Sequence, residues 1–551
     1  MKLYPFQKTA LTLALMAVTS GVWAQSNAGA DAQRSIQESQ SKLPAKPAAK
    51  PIAPDLQDFS DVSPMARLDV LDIKDDALRP EIEAYFKRFM GKPVTEEEMI
   101  AFKGWVNDTA KAMGFMAYAQ TDVEGNKLHI RLVLPRINSV KVFTRDEALA
   151  NLYLKDLNAR FEADFKPGMP VDILSLEQKL DAVSFSLPLE LDVVIRSAGP
   201  ELLDLLVNVT EAPSRPWEML GGLVQTNNYG LRQFGKAQVL GQVSFGGHLP
   251  SSRLTLTGQK SQGITYVRSE YDMPVASWDS RFRMGLGHSR SEGIRGGQSV
   301  TQSQSNDLVM GLEKILGHRR ELVFKGAADL STRQSRSELS STGVEVNRVQ
   351  DHQLRLRLSA DSDRLSNEPM RAEVTAVVGH YATLVNFQNV PENSYTKLEF
   401  NARKQFNLSE DGKWYGLAKV RGQRTSQHME GSNQMSLGGA NGVRAYSTAD
   451  GLGDDALLTT LEFNYKYQPN QTWGVFYDGG VVRASKKPLA GIFSETYALQ
   501  AVGLQTSGNV NKWYYNVAAA KGFGGNKGAL PSDIDSKPNN WRLNASLTFV
   551  F

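Results

Sequence analysis

The sequence predicts a membrane β-barrel of about sixteen antiparallel strands, preceded by two small α/β modules. Three observations predict this architecture. From residue 213 to 551, segments of about ten residues alternate apolar and polar side chains. Residues 65–136 and 137–212 each follow a β-α-α-β-β pattern, a repeat in pattern without a repeat in sequence. The first 24 residues have the composition of an export signal.

Composition places few limits on the kind of protein. The 551 residues are too many for one compact core, and a net charge of +3 indicates neither a nucleic-acid groove nor a polybasic membrane patch. The chain contains no cysteine, which excludes disulfides, thiolate catalysis and cysteine-type zinc sites.

The N-terminus predicts a signal peptide over residues 1–24. Lys2 and Lys8 supply its positive region, residues 10–18 are nearly all apolar, and Ala24 ends a cleavage motif. No later apolar stretch reaches the roughly 18 residues of a transmembrane helix. The exported protein is therefore expected to be either soluble or a β-barrel.

Residues 25–64 predict a polar helix followed by an extended, proline-rich linker. The helix is expected over 31–43, which contains no helix breaker and has only a thin apolar stripe. Four prolines between residues 44 and 54 prevent its continuation. Composition alone leaves plain disorder open as the alternative.

The two modules are predicted from their hydrophobic periodicity. In the first, a strand over 67–73 precedes a helical segment and two further alternating strands. In the second, a helix over 147–160 is followed by a helix with Asp172 at its N-cap. Tandem small modules usually bind or align another molecule, and neither contains an evident catalytic group.

The alternation after residue 213 favours a barrel in a membrane over a soluble β-sandwich. Leu354, Leu356 and Leu358 alternate with Arg355 and Arg357, so that one strand face is apolar while the other carries charge. A barrel with lipid outside and water inside requires this pattern, because the bilayer demands closed backbone pairing. In the last strand the apolar face consists of Trp541, Leu543, Ala545, Leu547, Phe549 and Phe551.

No catalytic motif is present, and the sequence predicts neither an enzyme nor a bound metal or cofactor. The seven histidines are scattered without metal-binding spacing. The glycine-rich run 522–528 lies between two predicted strands, so we interpret it as a flexible loop and not as a phosphate-binding loop.

One loop differs from the others. Between predicted strands 413–423 and 457–467 lies the glycine-rich run 437–446, which contains Arg444. Alternation directs Glu462 and Asp478 of the following strands towards the lumen. An arginine beside two inward carboxylates suggests that the loop folds into the barrel. Periodicity alone favours a simpler alternative, in which the loop is an ordinary surface loop and the lumen is lined with charged residues in general.

These residues carry a resemblance to a known family. The chain resembles the two-partner secretion transporters, the TpsB family of FhaC/ShlB-type haemolysin and haemagglutinin secretion proteins, in the superfamily of BamA and TamA. Family members have a V-R-G-Y/F motif in the sixth extracellular loop and an F-x-D-x-G pattern on the thirteenth strand. This sequence departs from the first motif at Ala445. The matching residues are Val443, Arg444, Tyr446, Phe476, Asp478 and Gly480, and the flanking Gly438, Gly439, Asp454 and Glu462 also look like the family.

The resemblance extends over the whole chain. It implies a plug helix, two POTRA modules in the periplasm, and a barrel over 213–551 whose sixth loop, about 427–456, is re-entrant. The protein would be a monomer in the bacterial outer membrane, where it would secrete an unfolded exoprotein without nucleotide hydrolysis. The ten motif residues would lock the loop, whereas Trp541, Phe549 and Phe551 would form a signal for the barrel-assembly machinery.

Other functions stay open at this point. A factor that inserts other barrels into the outer membrane belongs to the same superfamily, but more POTRA modules would be expected for it. A diffusion porin or a passive surface receptor would not explain the two modules or the loop motif. The sequence does not distinguish an adhesin, a haemolysin, a contact-dependent toxin or a haem-binding protein as the exported partner.

Overall fold

A computed structural model gives the fold of the chain in two compact units, one ending at Ala212 and the other beginning after it. It describes residues 67–73, 116, 118–124, 127–199, 201–212, 219–295, 297–319, 322–362, 368–386, 394–409, 411–486, 496–524 and 539–551. The predicted signal peptide, the helix over 31–43 and the linker to residue 64 lie outside the described residues.

The first module contains a three-stranded sheet. Its strands are β1 (Arg67–Ile73), β2 (Tyr118–Glu124) and β3 (Lys127–Val133), in the order β1-β3-β2. β1 runs parallel to β3, whereas β2 is antiparallel to it. The helices predicted between β1 and β2 lie outside the described residues.

The second module has the predicted β-α-α-β-β order. Its elements are β4 (Arg136–Phe143), α1 (Glu147–Leu149), a π-helical turn (Ala150–Leu154) that continues α1 into α2 (Lys155–Asp164), α3 (Ile173–Ser186), β5 (Leu189–Gly199) and β6 (Leu202–Glu211). The sheet order β4-β6-β5 repeats the order and strand directions of the first sheet.

The core of this module follows the predicted periodicity, with one difference. The Asp172 carboxylate accepts a hydrogen bond from the Ser175 amide at 3.0 Å and caps α3, as predicted. The predicted end of the first helix, at Arg160, is wrong, because α2 continues to Asp164. Phe161 lies one turn after Leu157 on the same fully buried stripe, so its burial favours the longer helix.

Sixteen antiparallel strands form a closed barrel, which confirms the predicted fold class of this unit. A short ribbon, β18 (Met435–Ser436) with β19 (Leu452–Gly453), lies within one of the loops. The barrel strands are β7 (Gly221–Asn227), β8 (Gln238–Gly246), β9 (Arg253–Lys260), β10 (Ile264–Val275), β11 (Ser280–Arg295), β12 (Gln298–Arg319), β13 (Leu322–Leu339), β14 (Glu345–Asp361), β15 (Met370–Asn386), β16 (Ser394–Asn407), β17 (Trp414–Thr425), β20 (Asp455–Gln468), β21 (Gln471–Arg483), β22 (Thr496–Val510), β23 (Trp513–Gly524) and β24 (Trp541–Val550).

The outer face of the barrel is apolar. Leu354, Leu356 and Leu358 are 40%, 53% and 52% exposed on the outer face of β14, as the alternation predicts. None of the helices in the described part of the chain has the length and apolar character needed to cross a bilayer.

The inner face carries charges that pair with one another between strands. These pairs lie on one arc of the wall, from β10 to β20, whereas the inward positions of β22, β23, β7 and β8 carry no charged side chain. Paired charges on the arc include Arg268–Asp307, Arg283–Asp329, Arg333–Asp351 and Arg355–Glu399, with N···O distances of 2.5, 2.5, 3.2 and 3.0 Å.

The strand connections differ in length at the two ends of the barrel. At one end, β20–β21 and β22–β23 are joined by two-residue turns, at 469–470 and 511–512. Short turns are typical of the periplasmic end and longer loops of the outer end. The connection from β17 to β20, residues 426–454, is the sixth at the outer end and is called L6 below.

Two predicted boundaries are corrected by these strands. Residues 522–524 were predicted as loop, but they are the last residues of β23, because Gly522 faces inward and pairs with Ala501. L6 ends two residues before its predicted boundary at 456, because β20 begins at Asp455, which pairs with Arg483.

Candidate functional site

L6 turns back into the barrel and is hydrogen-bonded to itself. The Val443 amide donates to the Leu437 carbonyl at 2.7 Å, and the Gly439 amide donates to the Tyr446 carbonyl at 2.9 Å. Glycine is required at Gly438, since a Cβ there would lie 2.0 Å from the Ser447 carbonyl oxygen. Gly439 adopts a φ of 106°, which side chains of L-residues rarely allow.

The structure places Arg444 and Asp478 in direct contact, as the loop hypothesis requires. Nε and Nη2 of Arg444 each donate to one oxygen of Asp478 at 2.9 Å. The Arg444 amide donates to the same carboxylate at 3.1 Å. Arg444 is 7% exposed and Asp478 is fully buried. A bidentate ion pair that is buried from water is stronger than a surface ion pair. It fixes the direction of the part of L6 around Arg444, which is called the tip below.

Four further strand residues surround this pair. Arg444 Nη1 lies 3.2 Å from Glu462 Oε1 and donates to Gln505 Oε1 at 2.8 Å. The Thr460 hydroxyl donates to Asp478 at 2.9 Å. Because the guanidinium also lies 3.4 Å above the Phe476 ring, its planar face is covered as well as its edge.

L6 also covers an apolar patch on the inner wall. Inward positions of β20–β23 are apolar near the outer end, which departs from the polar lumen that alternation predicts. Gly480 leaves room for this packing, since a Cβ there would lie 2.8 Å from a methyl group of Leu437. The buried patch consists of Met435, Leu437, Val443, Ala445 and Tyr446 from L6 and of Ala456, Leu458, Phe476, Val482, Leu499, Ala501, Ala518 and Ala520 from the wall. Burial of this surface favours the inward position of the loop independently of the ion pair.

Tyr446 and Ala445 contact β23. The Tyr446 hydroxyl donates to the Gly524 carbonyl at 3.0 Å, and the ring packs where a Cβ of Gly522 would lie, 2.8 Å from the ring atoms. Ala445, the departure from the family motif, is not among the described non-glycine residues with positive φ. The alanine therefore fits this position without backbone strain.

Asp454 acts at a different place from the Arg444 pair. Its fully buried carboxylate accepts hydrogen bonds from the amides of Met429 and Lys486 at 2.9 and 2.8 Å and from the Gln434 side chain at 2.9 Å. Asp454 thus joins the two ends of L6 to the start of the next outer loop, and it does not share the contacts of the loop tip.

Sequence reasoning missed several partners of the loop tip. Asn544 of β24 donates to the Arg444 carbonyl at 2.7 Å, across 100 residues of sequence. Gln505 links the guanidinium to Glu462 through a second hydrogen bond of 2.8 Å. Neither contact could be predicted, because nothing in the sequence indicates which inward residues meet.

The final strand places its aromatic residues on the outer face. Trp541 and Phe551 are 65% and 43% exposed, and the Phe549 ring lies 4.9 Å from that of Trp513. The Phe551 backbone exchanges two hydrogen bonds with Gly222, at 3.0 and 3.2 Å, and so extends the contact between the last and the first barrel strand.

Comparisons with known proteins agree with this architecture. The family described as haemolysin secretion/activation protein ShlB/FhaC/HecB matches residues 206–506. CdiB from Escherichia coli is similar in structure with a TM-score of 0.57 and 16% identity, over 96% of this chain and 98% of that one. CdiB from Acinetobacter baumannii also has a TM-score of 0.57, with 15% identity over 96% and 99% of the two chains. No curated protein sequence matches the chain.

Proposed function

The chain belongs to the family of haemolysin secretion/activation proteins ShlB/FhaC/HecB, which are bacterial outer-membrane transporters, and on this premise we propose that it secretes an unfolded exoprotein. The exoprotein would be captured in the periplasm and would pass through the barrel without nucleotide hydrolysis. Folding of the exoprotein outside the cell would then draw the rest of the exoprotein outwards.

The observation that carries this proposal is the position of L6. A passive porin needs no loop that is held inside its own lumen, whereas a protein channel must stay closed to small molecules between transport events. L6 is held there by a buried pair, Arg444–Asp478, and by an apolar patch on the wall. The ten motif residues would act by holding this loop until transport begins.

The two small modules would supply the capture site. Each would be a POTRA domain, over 65–136 and 137–212. In the second, β5 is an edge strand of the sheet, with β6 on its other side. An extended segment of the exoprotein could pair with such an edge through backbone hydrogen bonds, which depend little on sequence.

The proposal is tested by deleting the gene in the native bacterium and comparing the secreted and surface-exposed proteins by mass spectrometry. We expect at least one large protein to disappear from these fractions and to return with the wild-type gene. Arg444→Ala should not restore it, although its barrel reaches the outer membrane in the amount and heat-modifiable form of the parent.

Two outcomes would contradict the proposal. An unchanged set of secreted proteins, together with reduced amounts of other outer-membrane barrels, would indicate an assembly factor. Full restoration of secretion by Arg444→Ala would show that the loop lock is not part of transport. The energy source is tested with proteoliposomes, where translocation should proceed equally with and without added nucleotide.

A further inference from the structure

The first residues of L6 after β17, which include Met429 and Asn433, are called its base. They are held by a second polar network on another part of the barrel wall. Residues Gly431–Asn433 form a short 3-10 turn after β17, and the side chain of Asn433 points into a buried pocket. The pocket is formed by β14, β15 and β16, which β17 and β20 separate from Asp478 on β21.

The side chain of Asn433 forms hydrogen bonds with the residues that line this pocket. Its Nδ2 donates to Asp351 Oδ2 at 2.8 Å and to the Tyr381 hydroxyl at 2.6 Å. Its Oδ1 accepts from Gln353 Nε2 at 3.0 Å. The Tyr395 hydroxyl donates to the other Asp351 oxygen at 2.8 Å. Every donor and acceptor of the amide side chain therefore has a partner in the wall.

The pocket has little contact with water. Tyr381, Tyr395, Asp351 and Asn433 are between 0% and 4% exposed. The two tyrosine rings stack with their centroids 4.6 Å apart. Met429 of L6 belongs to the same buried apolar cluster as both rings and is 1% exposed. A buried carboxylate that loses one of its hydrogen-bond donors costs more free energy than an exposed one.

We infer that Asn433 is a positioning residue that keeps the base of L6 on β14–β16 when the tip is released. Two of the contacts that hold the loop then lie on separate parts of the wall: a charged anchor at Arg444, where the tip meets β21, and an amide anchor at Asn433. Release of the tip alone would leave L6 attached by its base, so the loop would move aside as a hinged segment and could return after transport.

The two anchors can be tested separately, because the chain has no cysteine and single reporters can be introduced. Asn441→Cys reports on the tip and Met429→Cys on the base. Each is labelled in intact cells with a membrane-impermeant maleimide. Arg444→Ala should raise the labelling rate of the tip reporter and leave the base reporter protected. Asn433→Leu should raise the rate of the base reporter by at least about tenfold.

The matched control is a different buried asparagine, Asn347, which lies on β14. Asn347 is fully buried, and its side chain has no hydrogen-bond partner among the described residues. Asn347→Leu should therefore leave both reporters at the rates of the parent. Tyr395→Phe, which keeps the ring and removes only the hydroxyl, should raise the base reporter in the same direction as Asn433→Leu but less.

Two further readouts distinguish a positioning role of Asn433 from a merely structural one. Asn433→Leu should increase the frequency of large-conductance openings in planar bilayers, while the amount of heat-modifiable barrel stays that of the parent. The inference is overturned if Asn433→Leu and Tyr395→Phe label the base reporter no faster than Asn347→Leu does. The inference rests on the proposed function for its meaning in transport. The labelling, however, needs no exported protein and can fail or succeed independently of secretion.

Discussion

At the residue scale, Arg444 connects the loop tip to three neighbouring strands. Its guanidinium contacts Glu462 on β20, Asp478 on β21 and Gln505 on β22. Lys419 lies 3.6 Å from Glu462, so two cations and two carboxylates balance each other in this part of the lumen. Removing one member of such a buried set leaves an opposite charge without its partner.

Arg444→Ala is therefore expected to weaken the inward position of L6 by about 3–5 kcal/mol. Arg444→Lys retains the charge but loses the bidentate contact and the planar contact with Phe476, so it should secrete at a level between those of Arg444→Ala and the parent. Secretion is measured relative to the amount of inserted barrel. Equal secretion by Arg444→Lys and the parent would show that charge alone, without the geometry of the guanidinium, holds the loop.

A second prediction at this scale concerns Gly522. Valine suits a β-strand, but its Cβ would lie 2.8 Å from the Tyr446 ring and would displace it from β23. Gly522→Val should reduce secretion at least as much as Tyr446→Ala, with normal barrel insertion. Gly241→Val is the control, because a Cβ at that position has no neighbour within 4 Å. A loss of insertion in both valine variants would point to the strands and not to the loop.

At the element scale, the last strand closes the barrel with a short seam. β24 and β7 share five residue pairs, from Ser546–Asn227 to Val550–Leu223, fewer than the pairs between β12 and β13. The backbone of Phe551 adds two hydrogen bonds to Gly222, and its ring lies beside the same glycine. The C-terminal residue therefore contributes both to the seam and to the lipid-facing surface.

Deletion of Phe551 should lower the amount of heat-modifiable barrel in the outer membrane, because it shortens the seam and removes the terminal aromatic residue. Phe406→Ala is the matched control, since this residue is also outward-facing, 40% exposed, and lies near the end of β16 at the short-turn side. The assembly-signal hypothesis predicts a larger loss for the deletion. Similar losses for both variants would indicate a general effect of lipid-facing aromatics.

At the scale of the whole molecule, the lumen has a charged arc and an uncharged arc. The charged arc is cross-linked by ion pairs between strands, which makes it costly to deform. L6 rests against both arcs, through Asn433 on β14–β16 and through Tyr446 on β23. The loop thus depends on a wall that only the closed barrel creates.

The predicted plug helix stays a prediction, since residues 31–43 lie outside the described residues. Its polar surface suits a charged, water-filled lumen, and thirteen helical residues would extend about 20 Å. Deletion of residues 26–44 should give larger and steadier currents in planar bilayers than the full mature protein, with secretion largely retained. Identical conductance with and without the segment would indicate a disordered leader.

The sequence by itself determined which way the strand residues face. A bilayer outside and water inside impose a period of two, so the inward orientation of Glu462, Phe476 and Asp478 could be predicted without a structure. The resemblance of the loop to the family motif then suggested Asp478 or Glu462 as the partner of Arg444, whereas periodicity alone favoured an ordinary surface loop.

Only the tertiary structure decided what L6 packs against. The apolar inner patch on β20–β23 departs from the alternation, and the contacts of Asn433 and Asn544 join residues that are 82 and 100 positions apart. Which inward residues meet depends on the register of sixteen strands and on where the barrel closes. Local periodicity carries no information about register, because every shift by two residues preserves the same inward and outward faces.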